Sequence, residues 1–289
     1  IYKIAHQLGR VDLLLIDECH LLGERDTGMY RTLINDLISY CPDLRTVGLS
    51  GTIFRGNGIY LTDQEAPLFH GVAASVTMRH LLDTGYLAPL TTQATATKIA
   101  TEGVGMRSGD YIVSQLAAVS DQAHLVASAC QEIVTLAAER KRWLVFAVTV
   151  EHAQHIQQAL SGLGIACAVV SGVTPKSERQ EAIADFRSGK LRALVNVAVL
   201  TTGFDVPEVD CIALLRATKS PVLYTQILGR GMRIAPDKAD CLVLDFTDTI
   251  ATLGPVDAIK GRAKPLTKGS SAAPYKVCPE CGSHNATAL

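Results

Sequence analysis

Residues 143–170 read WLVFAVTVEHAQHIQQALSGLGIACAVV, and this stretch decides the fold. Trp143–Val148 and Ile165–Val170 are two apolar runs of strand length. Between them, Glu151–Leu163 has the spacing of an amphipathic helix, and Gly164 is placed to end that helix. Two strands that are apolar on both faces and joined by one helix predict a βαβ unit. The expected fold class is therefore α/β, with a parallel sheet covered by helices.

The same alternation continues on both sides of this unit. The predicted further strands are Leu13–Ile16, Thr46–Leu49, Arg192–Val199, Cys211–Leu215 and Asp240–Phe246. The predicted further helices are Met29–Tyr40, Val76–Thr84, a long helix capped by Asp121, one from Pro175 to Phe186, and Pro221–Leu228. Thr91–Asp110 is polar and Gly254–Gly269 has no periodicity, so we predict domains at 1–105 and 106–255 and a tail at 256–289.

Composition restricts the class of protein. A length of 289 residues suggests one or two domains. The net charge of −1, from 27 basic and 28 acidic side chains, means that any nucleic-acid binding must use a local groove. No apolar run reaches the roughly 18 residues that a membrane span needs. No secretory segment precedes the first strand, so we expect mostly free thiols among the eight cysteines and a cytoplasmic location.

A first chemical motif, Asp-Glu-Cys-His, follows the strand Leu13–Ile16 at residues 17–20. Ligands of open α/β sheets bind at the carboxyl ends of strands. One carboxylate there can hold magnesium through water, and the next can take a proton from an attacking water. The alternative is a solvated Asp-Glu pair that opens a loop, and this alternative is favoured when the motif stands alone.

Three more motifs also lie at the ends of α/β elements. They are Gly-Leu-Ser-Gly-Thr at 48–52, Thr-Thr-Gly-Phe-Asp at 201–205 and Gln-Ile-Leu-Gly-Arg-Gly-Met-Arg at 226–233. Hydroxyls and backbone amides can hold phosphate oxygens, and Asp205 could accept a hydrogen bond from a sugar. Arg230 and Arg233 share one helix face and can bind phosphate bidentately. Taken singly, each motif also fits a turn, a strand end or a solvated helix end.

The order and spacing of the four motifs closely resemble those of superfamily 2 helicases. Their motifs II, III, V and VI match Asp17–His20, Ser50–Thr52, Thr201–Asp205 and Gln226–Arg233. The segments around Gly85-Tyr86-Leu87-Ala88-Pro89 and Phe146–Ala153 look like those of RadD-like bacterial DEAD/DEAH-box helicases. The resemblance covers about residues 10–248. It implies two RecA-like parallel-sheet domains, the first of them truncated, and then the start of a zinc-ribbon-like tail.

The resemblance also implies a role for each matched residue. Asp17 would bind Mg²⁺, Glu18 would activate the hydrolytic water, and Arg230 and Arg233 would contact the γ-phosphate of ATP. The remaining implied residues are His20, Gln226, Ser50, Gly51 and Thr52 for coupling, Gly203, Asp205 and Gly229 for the nucleotide, and Thr149, Ser171, Thr201 and Thr202 for the nucleic-acid backbone. His20 and Gln226 are counted with the catalytic set because they would act together across the nucleotide cleft.

Two departures from the family pattern bear on activity. Motif III reads Ser-Gly-Thr-Ile, where Ser/Thr-Ala-Thr-Pro is commoner, which loosens the turn. The phosphate-binding pattern G-x-x-x-x-G-K-[ST] does not occur, and the one Gly-Lys pair, Gly189-Lys190, is followed by Leu. We expect that loop to lie upstream of residue 1, and we expect this chain to hydrolyse almost no ATP without it.

The tail contains Cys278-Pro279-Glu280-Cys281-Gly282, which is typical of half a zinc site. We expect Zn²⁺ to be bound by Cys278 and Cys281 and by two ligands beyond the chain, with His284 as another candidate. A redox pair or two free thiols is the alternative. The basic side chains of the segment from Val256 onward could add phosphate contacts, or they could belong to a solvated tether.

These observations predict an ATP-dependent DNA helicase or translocase that couples ATP hydrolysis at an interdomain cleft to movement on DNA, as part of DNA repair. The partner is nucleic acid, with DNA favoured over RNA. The alternatives are a subunit of a restriction-type translocase, an RNA helicase, and a non-catalytic nucleic-acid-binding remodeller. An intact upstream phosphate-binding loop would distinguish the enzymes from the remodeller.

Overall fold

The computed structural model describes residues 5–23, 28–55, 58–63, 67–199, 204–261, 275–277 and 284–286. The chain divides into two compact units. Unit 1 comprises Ile1–Ser75 with Lys260–Gly269, and unit 2 comprises Val76–Ile259 with Ser270–Leu289. Within the described ranges, no helix is long and apolar enough to cross a membrane.

Unit 1 is built on two parallel strands, β1 (Leu13–Ile16) and β2 (Arg45–Gly48), which are joined by helix α1 (Met29–Tyr40). The helix buries Ile34 and Leu37, which are three residues apart and therefore on one face. This is the βαβ connection that the sequence predicts, and it brings the carboxyl ends of both strands to one edge.

Unit 2 contains a parallel sheet of six strands. In chain order these strands are β3 (Leu90–Gln93), β6 (Trp143–Phe146), β7 (Cys167–Ser171), β8 (Ala193–Val197), β9 (Cys211–Leu214) and β10 (Cys241–Asp245). Their spatial order is β3-β10-β9-β6-β8-β7, so β3 and β7 are the edge strands and β9 and β6 occupy the centre. The predicted α/β class with a parallel sheet is confirmed.

Helices cover both faces of this sheet. They are α2 (Met78–Asp83), α3 (Val113–Ser120), α4 (Ala123–Leu136), α5 (Val150–Gly162), α6 (Lys176–Ser188), α7 (Pro221–Gly231) and α8 (Thr249–Leu253). Trp143 and Val145 pack with α4 and α5 on one face, whereas Leu144 and Phe146 pack with α6 and α7 on the other. All four residues of β6 are buried, because side chains alternate between two covered faces.

The division between the units falls at Ser75/Val76, whereas the sequence predicts a boundary at residues 105/106. The physical reason for the difference is strand β3, which pairs with β10 from Leu90↔Cys241 to Gln93↔Leu244 and completes one edge of the sheet. An edge strand has fewer buried apolar residues than a central strand. The Thr-rich sequence of β3 therefore resembles that of a linker.

Two small hairpins complete the described structure. Strands β4 (Met106–Arg107) and β5 (Asp110–Tyr111) pair antiparallel in unit 2, and so do β11 (Tyr275–Val277) and β12 (His284–Ala286). The predicted cap of α4 by Asp121 is wrong. The N-cap residue is Gln122, and the Asp121 carboxylate lies 2.8 Å from Nδ1 of His155 on α5.

Candidate functional site

The two acids of motif II lie immediately after β1, at the carboxyl end of the strand. Asp17 is exposed, and its Oδ1 accepts a hydrogen bond of 2.9 Å from the amide of Glu18. Glu18 has a φ of 48°, a left-handed backbone conformation that residues other than glycine rarely adopt. A strained backbone persists only where surrounding contacts hold it in place. Such residues are common at functional sites. The exposed carboxylate of Asp17 suits a hydrated Mg²⁺ ion.

Motifs II and III are joined by a hydrogen-bonded pair, His20 and Ser50. Nδ1 of His20 lies 2.8 Å from Oγ of Ser50 and 3.3 Å from Oε2 of Glu18. Oγ of Ser50 donates to the carbonyl of Thr52 at 2.5 Å and accepts from the amide of Thr52 at 3.0 Å. Because the serine hydrogen is already used, Nδ1 of His20 must be the donor in the first contact. The imidazole therefore joins the motif II acid to the motif III turn.

The backbone holds these two loops together as well. The amide of Leu49 donates to the carbonyl of Ile16 at 2.8 Å, and the amide of Cys19 donates back to the carbonyl of Leu49 at 3.1 Å. Only glycine fits at Gly48, since a Cβ there would lie 2.7 Å from Sγ of Cys19 and 2.6 Å from the ring of Phe69. The motif II and motif III loops are thus one packed element.

The pKa of His20 is lowered from its ordinary value of 6.5. Burial is the main cause, since it disfavours the charged imidazolium. Glu18 opposes the shift, and Arg55 adds to it. The lowered pKa favours a neutral imidazole near pH 7, and its single ring hydrogen is then the one that Nδ1 donates.

In unit 2, the motif VI arginines converge on the end of motif V. Nη1 of Arg230 donates to the carbonyl of Phe204 at 2.6 Å, and Nη1 of Arg233 donates to the same carbonyl at 2.7 Å. Arg233 also makes an ion pair of 2.6 Å with Oδ1 of Asp205. Arg230 lies in the last turn of α7 and is only 8% exposed, and Arg233 follows directly after the C-cap of the helix. The structure thus brings three of the predicted site residues of unit 2 together.

Lys238 is a residue of this cluster that the sequence reasoning missed. Its Nζ donates to the carbonyls of Pro207, Gly231 and Arg233 at 2.9, 2.7 and 2.7 Å. Burial lowers the pKa of this amine from its ordinary 10.5. A lysine five positions after motif VI carries no signal of its own, because the carbonyls that it binds come together only in the fold.

Gln226 and Gly229 lie on α7, before the two arginines. Gln226 is half-buried, and a Cβ at Gly229 would meet no atom within 4 Å, so side-chain crowding does not explain this glycine. The same holds for Gly51 in motif III. The roles predicted for these three residues stay predictions.

The predicted nucleic-acid contacts lie at the carboxyl ends of the strands of unit 2. The hydroxyl of Thr149, after β6, accepts from the amide of His152 at 3.1 Å and caps α5. Ser171, at the end of β7, is 2% exposed, and its Oγ lies 3.2 Å from Oγ1 of Thr174. Thr174 is therefore the more accessible hydroxyl of that pair. The other three predictions in this region, Thr201, Thr202 and Gly203, lie outside the described residues.

The predicted zinc ligands Cys278 and Cys281 also lie outside the described residues, in the sequence between β11 and β12. Among the residues that the structure does describe, no group of three or more His, Cys, Asp or Glu side chains could hold a metal ion. The zinc site therefore stays a prediction.

The fold and the motifs define a class of protein. Residues 125–235 match the family described as "Helicase conserved C-terminal domain". These residues lie within unit 2 and include Arg230 and Arg233. Residues 125–235 are thus similar to the C-terminal domain of helicases.

Individual relatives are consistent with this class. The chain is 42% identical over 114 residues to the mitochondrial ATP-dependent helicase irc3 of Schizosaccharomyces pombe, which is 39% of this chain and 19% of that protein. A fragment of an HsdR subunit of a type I restriction enzyme from Vibrio vulnificus shares the fold with a TM-score of 0.57 at 23% identity, over 81% of this chain and 43% of that one. The helicase Lhr of Mycobacterium smegmatis, bound to ssDNA and AMP-PNP, shares it with a TM-score of 0.51 at 19% identity, over 81% of this chain and 28% of that one.

Proposed function

We propose that this chain is part of an ATP-dependent DNA helicase or translocase of superfamily 2, of RadD-like type and active in DNA repair. One observation carries the proposal most directly. Arg230 and Arg233 of the helicase domain are held together at the Phe204 carbonyl. Two fixed guanidinium groups on one helix end are suited to bind a phosphate and to stabilise charge on a transferring phosphoryl group.

The proposed hydrolysis divides its tasks between the motifs. The exposed carboxylate of Asp17 would hold Mg²⁺ through water, and Glu18 would take a proton from the attacking water. His20 would keep Glu18 in position, since its Nδ1 lies 3.3 Å from the Glu18 carboxylate. Mg²⁺, when bound, supplies charge neutralisation for the phosphates. The phosphate-binding loop that this chemistry needs is not among the residues of this chain.

Nucleic acid is the proposed partner, with DNA favoured over RNA. Support comes from the hydroxyl groups of Thr149 and Thr174, at the carboxyl ends of β6 and β7, the two strands on either side of β8. Hydroxyl and amide donors of this kind bind phosphate oxygens and position a strand without reading its sequence. The Lhr helicase, which shares the fold, is described as bound to ssDNA. A restriction-type translocase subunit is the second candidate, because the HsdR fragment shares the same fold.

A structural zinc ion held by Cys278 and Cys281 is also part of the proposal. The support is the Cys-x-x-Cys spacing, placed in the sequence between the paired strands β11 and β12. Metal analysis of the purified protein would test it. About one zinc per chain, lost in the Cys278→Ser variant, is the expected result, and a metal-free protein that folds normally would contradict it.

ATPase measurement on the protein at its natural length tests the main proposal. Hydrolysis is compared without nucleic acid and with single-stranded DNA, duplex DNA and RNA. We expect stimulation by DNA, and we expect Glu18→Gln to lower the rate by about 10²-fold or more, as for loss of a general base. Stimulation by RNA alone would contradict the DNA assignment.

Glu178→Gln is the matched control for this experiment. Glu178 is an exposed glutamate on α6, and the same loss of charge there should leave the rate unchanged. If Glu18→Gln and Glu178→Gln both hydrolyse ATP like the wild type, the role given to Glu18 is wrong.

A further inference from the structure

The hairpin β4–β5 lies at the carboxyl ends of the central strands of unit 2. Tyr111 of the hairpin packs in one buried cluster with Val148, which follows β6, and with Ala217, which follows β9. Its hydroxyl lies 3.0 Å from Oγ1 of Thr101, which in turn donates to Asp248 after β10 at 3.2 Å. The base of the hairpin is thus fixed beside three strand ends, and Val148 directly precedes Thr149.

Asp110 clamps the hairpin to the loop between β9 and α7. Its Oδ1 accepts from the amides of Tyr111 and Lys219 at 2.9 and 2.8 Å, and its Oδ2 accepts from the hydroxyl of Thr218 at 2.9 Å. Arg216 adds a more distant ion pair of 3.8 Å to the same carboxylate. A carboxylate engaged in this way fixes the position of a two-residue turn that would otherwise be only marginally stable.

The tip of the hairpin is a tight turn with a basic side chain. Ser108 and Gly109 have positive φ values of 54° and 88°, which is the conformation of a two-residue hairpin turn. Arg107 stands directly before them and is exposed. Its cross-strand neighbour Asp110 is turned toward Thr218 and Lys219, and no described residue makes an ion pair or hydrogen bond with the Arg107 guanidinium. An arginine that is held on a rigid turn without a partner is available to an external anion.

The surroundings favour a phosphate as that anion. Arg107, Arg216 and Lys219 are three basic groups on the clamped hairpin and the loop beneath it, against two acids, Asp110 and Asp248. We propose that the hairpin β4–β5 is an additional nucleic-acid contact, in which Arg107 binds a backbone phosphate of a strand that runs past the hydroxyl of Thr149. This inference rests on the nucleic-acid binding proposed above.

Fluorescence anisotropy with a labelled 20-nucleotide oligo-dT and the protein at its natural length tests this contact. We expect Arg107→Ala to weaken binding about 5-fold at low salt. Loss of one phosphate contact on a single strand should also lower the slope of log K against log salt by about 0.7. The control is Lys141→Ala, which removes one exposed charge before β6, at the opposite edge of the sheet, and should change neither quantity.

Asp110→Ala separates a positioned contact from general electrostatics. Removing an acid raises the local positive charge, so charge alone predicts tighter binding of DNA. Loss of the clamp predicts weaker binding, because Arg107 is then no longer held in place, and this is the result that we expect. Circular dichroism of the variant checks that unit 2 remains folded.

The outcomes distinguish the two levels of the proposal. If the wild type binds no nucleic acid, both the proposed function and the hairpin contact are overturned. If the wild type and Lys141→Ala bind, but Arg107→Ala binds equally well with an unchanged salt slope, only the hairpin contact is overturned. Tighter binding by Asp110→Ala would likewise refute the clamped geometry and leave the proposed function intact.

Discussion

Replacement of Lys238 by methionine tests how the end of motif VI is held in place. The methionine keeps most of the aliphatic stem and removes the ammonium group that donates to the carbonyls of Pro207, Gly231 and Arg233. Gly231 ends α7, where carbonyls have no partner within the helix, and Pro207 and Arg233 lie in loops, so all three acceptors lose the hydrogen bonds that Lys238 donates. The wild-type lysine connects the end of α7 to the segment after motif V.

The size of the effect follows from the three hydrogen bonds. A hydrogen bond to a charged group contributes about 1.5–3 kcal/mol, and burial of the ammonium offsets part of that gain. The same burial lowers the pKa of Lys238, because it disfavours the charged ammonium group. We therefore expect Lys238→Met to lower the free energy of unfolding of unit 2 by about 2–4 kcal/mol. For a domain of roughly 150–250 residues this corresponds to a decrease in Tm of about 5–15 °C.

The single tryptophan of the chain provides a local assay. Trp143 is fully buried in β6 at the centre of the sheet, so its fluorescence during urea unfolding reports on unit 2 alone. Lys190→Met is the control. The side chain of Lys190 is 74% exposed, so its ion pair with Asp185 contributes little to stability. If Lys238→Met and Lys190→Met unfold within about 0.5 kcal/mol of the wild type, the three hydrogen bonds do not stabilise this region.

Three further predictions concern buried groups. Burial lowers the pKa of His152 from 6.5 to about 4, so protonation favours the unfolded state. The free energy of unfolding of unit 2 should reach its full value above pH 6.5 and should fall by about 2 kcal/mol as the pH drops to 5. In urea titrations, His152→Gln should lack this pH dependence. A Cβ at Gly231 would lie 2.5 Å from Sγ of Cys241, so Gly231→Ala should destabilise unit 2 by about 1–3 kcal/mol. Gly229→Ala, where a Cβ meets nothing within 4 Å, should instead stabilise the helix by up to about 1 kcal/mol, and the opposite order in thermal melts would contradict the packing described. Finally, NMR titration of His20 should give a midpoint below 6.5, and a midpoint at or above that value would rule out the buried neutral imidazole.

Most of the fold is predictable from the sequence because its central strands are buried on both faces. The run Trp143–Phe146 is apolar at every position and can be read as a strand without knowing its neighbours. The edge strand Leu90–Gln93 alternates between half-buried and exposed positions, and its pairing with β10 spans about 150 residues of sequence. No local pattern identifies such a partner, and the boundary predicted at residues 105/106 therefore differs from the division at Ser75/Val76.

Contacts of the candidate site can be predicted from the sequence where both partners belong to recognised motifs. The pairing of His20 with Ser50 joins two recognised motifs, and the ion pair of Arg233 with Asp205 joins two others. Lys238 and Asp110 act through backbone carbonyls and amides of distant loops, and sequence patterns do not encode which backbone groups will be near. The same limit applies to Asp121, which fits a helix cap by its position but pairs with His155 in the fold.

The two motif VI arginines differ in how freely they can leave their present partners. Arg230 is 8% exposed and shares the Phe204 carbonyl with Arg233, so one of the two arginines must stay to keep that buried carbonyl hydrogen-bonded. The side chain of Arg233 is 34% exposed, and its partner Asp205 is 73% exposed, so their ion pair is a surface pair that contributes about 0–1 kcal/mol. An anionic phosphate could replace the Asp205 carboxylate at that small cost. Arg233 is therefore the arginine that we expect to exchange Asp205 for a γ-phosphate, whereas Arg230 stays on the backbone and fixes the helix end from which Arg233 moves.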